Sequence, residues 1–144
     1  IMHFLEPFKK IRWQIFSKHN NWYYKNGNME VFPINNELFI KSIVTSAGVI
    51  CGAGFETPAE VLYLEKKLFV IPMHGQYEQQ CNAAALSDLG VATATTLTPK
   101  TALMIGEWLE SVQKIKVEYQ NETEKIIEDI LDFGSTLPTN RNRN

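Results

Sequence analysis

The run Gly48-Val49-Ile50-Cys51 is small and apolar at every position. A strand with one face in water alternates polar and apolar residues, so a strand without polar positions is covered on both faces. Helices supply that cover, and helix-period segments flank the run at 36–45 (NELFIKSIVT) and 57–66 (TPAEVLYLEK). Thr57 is a candidate cap for the second, with Pro58 in its first turn. The pattern then repeats as a buried strand at 67–73 (KLFVIPM), a helix at 76–89 ended by Gly90, and a short strand at 91–96 (VATATT). Thr98-Pro99 opens a helix over 99–116, and another covers about 120–132. Upstream, 11–17 and 29–34 read as strands, joined by a turn-rich connection over 19–28 whose sharpest point is Asn26-Gly27-Asn28. Strands alternating with helices predict an α/β domain in three layers with a mostly parallel sheet.

At 144 residues there is room for one domain, and 44% apolar against 21% charged residues is enough to bury a core. We place the domain at 1–134 and expect a flexible polar tail over 135–144. The chain starts at Ile1 rather than Met, which suggests a piece of something longer. A formal net charge of −2 provides no basic excess to displace counterions, arguing against nucleic acid as a partner. No apolar run reaches the roughly 18–20 residues that span a membrane, and Glu6, Pro7, Lys9 and Lys10 interrupt any leader-like start. Cys51 and Cys81 sit in apolar stretches and are expected to be buried free thiols in a reducing compartment. His3, His19 and His74 do not form a metal-ligand spacing. The sequon Asn121-Glu122-Thr123 reads as an accident in a chain without a secretion signal.

In parallel sheets, ligands bind beyond the carboxyl ends of strands. The turns after residues 34, 51 and 73 lie there, and all three carry unusual residues. After Cys51, the small residues Gly52, Ala53 and Gly54 allow a ligand close to the backbone. The helix that follows points free N–H groups and its positive dipole end at the same gap, and Thr57 adds a hydroxyl. These are the parts of a diphosphate site, and they are equally the parts of a tight crossover needing glycine for packing. Glu60, one turn along, could accept hydrogen bonds from both ribose hydroxyls or simply favour the helix start through the dipole. The second turn, Pro72 to Ala83, crowds Gln76, Glu78, Gln79 and Gln80 onto a helix start. Amides that both donate and accept suit a polyhydroxylated ligand, although a solvated first turn would look similar. His74 lies at the same edge, as a ligand contact or a structural hydrogen-bonding group. Residues 107–132 form an amphipathic mixed-charge segment for packing or a partner interface. Trp13, Trp22, Tyr23 and Tyr24 lack the basic groove of a stacking platform and could cover a face that another domain buries.

Residues 48–91, GVICGAGFETPAEVLYLEKKLFVIPMHGQYEQQCNAAALSDLGV, resemble the donor-binding half of GT-B glycosyltransferases. The closest group is family-28-like and includes the peptidoglycan N-acetylglucosaminyltransferase and the UDP-glycosyltransferases. The pattern is a composite: a Gly-rich turn, Thr-x-x-Glu, a strand ending in Pro, Gln-Gln, then Asn-Ala and a glycine. It extends loosely back to VFPINNELF at 31–39. The resemblance implies a Rossmann-like carboxyl-terminal domain, half of a GT-B fold. It implies that Gly54, Phe55 and Thr57 meet the donor diphosphate, within the turn begun by Gly52 and Ala53. It further implies that Glu60 holds the ribose, that Gln79 and Gln80 touch the transferred sugar, and that the backbone at Ile34 meets the base, usually uracil. Asn82-Ala83 is assigned to packing.

Three departures matter. Glu56 puts a negative charge beside the diphosphate and must point away. Glu65-Lys66-Lys67 replaces the common Gly-Lys-Pro turn. The glycine-rich loop expected after the first strand is absent, as is the amino-terminal half that carries the acceptor site and usually the catalytic base. The catalytic residues are therefore unknown here. The resemblance implies an inverting hexosyl transfer from a UDP-sugar that needs neither metal nor cofactor, the nucleotide-sugar being a substrate. An acceptor-binding domain in cis or a partner chain in trans would complete the enzyme, and the fragment alone would be inactive. Its setting would be cytoplasmic, with the complete protein peripheral to a membrane. The alternatives are half of a nucleotide-sugar epimerase and a non-catalytic partner-binding subunit.

Overall fold

A computed structural model describes residues 1–112, 115–118 and 120–136. In chain order the elements are α1 (Met2–Leu5), β1 (Trp13–Phe16), β2 (Tyr24–Asn26), β3 (Met29–Phe32), α2 (Asn36–Thr45), β4 (Gly48–Cys51) and α3 (Glu56–Tyr63). They continue with β5 (Lys67–Val70), α4 (Tyr77–Asp88), β6 (Ala92–Thr93), α5 (Pro99–Glu110) and α6 (Thr123–Thr136). The α/β architecture with parallel pairing is as expected from the sequence. The strands form two three-stranded sheets, ordered β1-β3-β2 and β4-β5-β6. The second is wholly parallel, and β1 runs parallel to β3 while β2 is antiparallel to it.

Each layer follows from side-chain alternation. On one face Ile43, Val61, Leu62 and Ala83 of α2, α3 and α4 pack with Leu68 and Val70, joined by Val49 and Cys51. On the other face Phe69 meets Ile105 and Trp108 of α5, together with Leu5, Met29, Trp13, Ile15 and Ile50. Phe69 and Ile105 are fully buried, and Phe69 meets the Trp108 ring edge-on at 5.9 Å. The β4 residues thus divide between both cores, which is why none of them is polar.

Several boundaries differ from those expected. The connection over 19–28 contains β2, turning at Gly27 with φ 60°. Trp22, Tyr23 and Tyr24 are exposed there, whereas Trp13 packs inward. The strand from Lys67 stops at Val70, though Ile71 N–H still reaches Cys51 O at 2.9 Å, and Pro72 has no N–H to continue the ladder. The strand over 91–96 shrinks to two residues because Thr98 and Thr101 cap α5 reciprocally, and the Thr101 hydroxyl donates to Thr96 O at 2.6 Å. Helix α5 ends at Glu110, where Lys67 Nζ donates to the carbonyls of Leu109 (2.9 Å) and Ser111 (2.6 Å). The amphipathic segment 107–132 is therefore not one helix, and α6 begins at Thr123 and runs to Thr136. The proposed tail overlaps that helix at 135–136, and 137–144 lie outside the described residues.

The cysteines are free but unequal. Burial pushes the Cys51 thiol up to about 12, whereas Cys81 is exposed on α4, contrary to the expectation that both are buried. The apolar surroundings of Cys81 in the chain do not bury it, because Ala83 is the buried residue of α4. At the end of α3, Glu65 adopts φ 50° while its N–H donates to Leu62 O and Lys66 N–H donates to Val61 O. That left-handed closure is where glycine would be at ease, and glutamate carries the strain instead.

In the first sheet, Arg12 grips Glu30, with Nε at 2.8 Å and Nη2 at 2.7 Å from the same carboxylate oxygen. That hydrogen bond outweighs the cost of burial and holds Glu30 below its ordinary carboxylate value of 4.5. A lowered folded value means the pair's contribution is complete above the ordinary value and is lost as pH falls through the lowered one. Thermal melts across the acid range should show a decline in stability that Glu30→Gln flattens. Parallel acid limbs for the two proteins would remove this role.

Candidate functional site

The carboxyl ends of β4 and β5 open onto the two turns singled out in the sequence. Helix α3 begins with Phe55 as N-cap, already in helical conformation at φ −78° and ψ −53°, and no side chain caps it. Thr57 is therefore the second helical residue, not the cap, and its hydroxyl is left for other use. The N–H groups of Glu56 and Thr57 make no hydrogen bond among the described residues, and Pro58 has none to offer. Helix α4 likewise begins at Gln76 with no capping side chain. Two uncapped helix starts thus open on the same edge of one parallel sheet.

The glycines divide by role. A Cβ on Gly54 would meet nothing within 4 Å, so its surroundings are open to a ligand. A Cβ on Gly52 would lie 3.1 Å from Gln79 Oε1, so Gly52 makes room for a side chain of the protein itself. Gly75, at φ 77°, supplies the left-handed turn into α4.

Gln79 and Asn82 join the two turns. Gln79 Oε1 accepts from the backbone N–H groups of Ala53 (3.2 Å) and Met73 (3.0 Å), and its Nε2 donates to Gln76 Oε1 at 2.9 Å. Asn82 Nδ2 donates to Ala53 O at 3.0 Å. Ala53 is fully buried, so both its polar backbone groups are satisfied by side chains from α4. This brace brings together Gly52, Ala53, Gln76 and Gln79, and Gly54, Phe55 and Thr57 follow in the chain at the start of α3. Glu60 on α3, His74 in the turn ahead of α4 and Gln80 on α4 are exposed. Ile34 follows β3 in the other sheet and is exposed, with no hydrogen bond tying it to the turns; Asn35 behind it caps α2 through Leu38 N–H at 2.9 Å.

Sequence reasoning did not foresee that the Gln79 amide bridges the ends of two strands. The residues it joins lie far apart in the chain, and only the fold supplies the pairing. Nor did it single out Tyr77, exposed at the first position of α4. A sulfur–hydroxyl contact with Cys81 raises Tyr77 above its ordinary value of 10.0. No lysine or arginine occurs within 48–65 or 68–91. Anion binding here would rest on backbone donors, with Glu56 exposed at the helix start. Among the described residues no three His, Cys, Asp or Glu side chains gather where they could hold a metal.

Parallel strands, crossover helices and open turns at the carboxyl edge define a Rossmann-like α/β domain, consistent with one half of a GT-B fold. A model of the family described as Glycosyl transferase family 1 matches residues 9–112, from just before β1 to just beyond α5, and the chain belongs to that family. No curated protein and no solved structure gives a significant match. Among the described residues no helix is long and apolar enough to cross a membrane.

Proposed function

We propose that residues 1–134 are the carboxyl-terminal, donor-binding half of a glycosyltransferase of the family-28 and UDP-glycosyltransferase type, taking a nucleotide-sugar, with UDP as the nucleotide. The observation that carries this is the pair of uncapped helix starts beside the open Gly54, with Glu60 one turn along α3. Backbone N–H groups at 54–57 and the Thr57 hydroxyl would hold the diphosphate. As the sugar leaves, negative charge grows on that diphosphate, and donors already aimed at it lower the barrier. Glu60 would accept from the ribose hydroxyls, the backbone at Ile34 would meet the base, and Gln80 with His74 and Gln76 would face the hexose. Gln79 contributes by holding the two turns in register and turns an amide edge toward the sugar. The acceptor and the base that activates it would come from a domain in cis or a chain in trans, with no cofactor in the transfer.

The test is an NMR titration with UDP, GDP and ADP. Shifts confined to residues near 34, 52–60 and 76–80, strongest for UDP, are expected. Glu60→Ala removes one or two charge-assisted hydrogen bonds and should weaken UDP binding by about 1–3 kcal/mol. Undiminished affinity in a folded Glu60→Ala protein would end the ribose role.

A second reading, a non-catalytic subunit that recruits another chain, draws on α6, where Ile126, Ile127, Ile130 and Leu131 are all more than half exposed. It expects no nucleotide-dependent shifts at all, so the same titration separates the two.

A further inference from the structure

Helix α6 carries an apolar face that its own chain leaves in water. Ile126 and Ile130 stand four residues apart, as do Ile127 and Leu131, so the four lie along one side of the helix. Each is more than half exposed. Helical spacing sets Glu124 and Glu128 along one border of that stripe and Asp129 along the other, and Lys125 is the one basic residue of α6.

The border constrains what covers the face. Amphipathic helices that lie on anionic lipid flank their apolar stripe with Lys and Arg, and an acidic border is repelled there. An apolar seat with a basic rim is the complement. This chain carries one. Between α1, with the turn behind it, and the first turn of α5 lies a groove of about 410 Å³, walled by Phe4, Pro7, Pro99 and Ala102 and lined also by Lys9. Exposed Leu103 extends the apolar wall along α5, and Lys10 and Lys100 are exposed beside the lining residues in the chain. Glu6, the carboxylate in the lining, lies 3.6 Å from His3 Nδ1.

The groove is too small for a helix and suited to side chains projecting from one. The 14 residues of α6 make a rod roughly 20 Å long and 10 Å across, so aliphatic side chains would enter while the backbone stays outside. Within one chain the groove stays open and the stripe stays exposed. A second chain answers both, because each copy offers the helix that the groove of the other can take.

We propose that the occupant is a second copy of this chain. Two copies exchange α6, each apolar stripe lying on the groove of the other copy, with the acidic border against Lys9 and Lys100. The exchange is two-fold, so each copy gives one helix and receives one, and the assembly closes at two. Reciprocal exchange fills both grooves and doubles the area that one helix buries. The contact shares no residue with the turns around Gly54 and Gln79 and does not depend on the donor reading.

The test uses the 144-residue chain. Sedimentation equilibrium over roughly a 100-fold range of concentration should show monomer giving way to a species of twice the mass. Ile126→Glu with Ile130→Glu should weaken that association by roughly 100-fold, and Lys9→Glu with Lys100→Glu by roughly 10-fold. Adding Glu124→Lys and Glu128→Lys to the second variant should restore it. All these positions are exposed, so the melting temperature of dilute protein should move by no more than about 2 °C. In a sample mixing isotope-labelled with unlabelled copies, NMR contacts from the α6 isoleucine methyls to Phe4 and Ala102 should cross between the two kinds of chain. Three results would overturn the proposal: a monomer at every concentration, a dimer that both pairs of substitutions leave intact, or contacts confined to single chains, which would mean that α6 folds back onto its own groove.

Discussion

Gly54→Val should lower UDP affinity about 10- to 100-fold while shifting folding stability by no more than about 0.5 kcal/mol. The two halves of this expectation come from different facts. The backbone at Gly54 is not in the left-handed region, and an added Cβ there meets nothing within 4 Å, so the folded state accepts the side chain. The same empty space is where a diphosphate would approach the N–H groups at the start of α3. A branched side chain would hold the anion away from donors worth about 1.5–3 kcal/mol each to a charged group. The measurement is a UDP titration beside a thermal melt. Wild-type affinity in Gly54→Val would place the nucleotide elsewhere, and a collapse in melting temperature would show Gly54 to be a packing glycine after all. Gly52 makes the contrast: its Cβ would press on Gln79 at 3.1 Å, so substitution there should disturb the fold and binding together.

The α/β layout was legible because burial on both faces leaves an unambiguous mark. Gly48–Cys51 and Lys67–Val70 have little room for polar residues, and the helices between them carry helical periodicity. Elements that depend on tertiary partners left weaker marks. The strand Tyr24–Asn26 is three exposed residues whose only reason to be extended is the ladder with β3. The end of α5 is set by Lys67, whose ammonium satisfies carbonyls more than forty residues away, and helical periodicity continues past it. The helix start at Phe55 was masked by Thr57-Pro58, a pair that suits the start of a helix yet sits within its first turn here.

The candidate site was legible as two turns, and the wiring between them was not. Small residues and a helix start raise the expectation of an anion-binding edge, but two glycines two residues apart look identical until the fold shows one facing space and the other facing Gln79. Gln79 likewise suggested a sugar contact, through its amide chemistry and through the family resemblance. The fold adds a demand on the same amide that competes with that use.

Gln79→Leu and Gln79→Glu separate those two demands. Leucine is close in size but removes the acceptor for Ala53 N–H and Met73 N–H. Ala53 is fully buried, so its N–H loses its partner without water to replace it, while Met73 is half exposed and can be hydrated. The expected cost is about 2–3 kcal/mol of stability, the upper part of the range for an orphaned buried donor plus a modest loss at the second. Glutamate keeps an oxygen in place for both N–H groups and loses only the donation to Gln76 Oε1, where two oxygens now oppose each other at a mostly exposed position. Its stability should fall by about 1 kcal/mol or less. If the amide also donates to the sugar, Gln79→Glu should bind UDP normally and the complete UDP-sugar more weakly, because the carboxylate cannot donate. If Gln79 only braces the turns, both ligands should bind the glutamate variant as they bind the wild type. A Gln79→Leu protein as stable as the wild type would remove the brace itself, and with it the reason for these two turns to move as one.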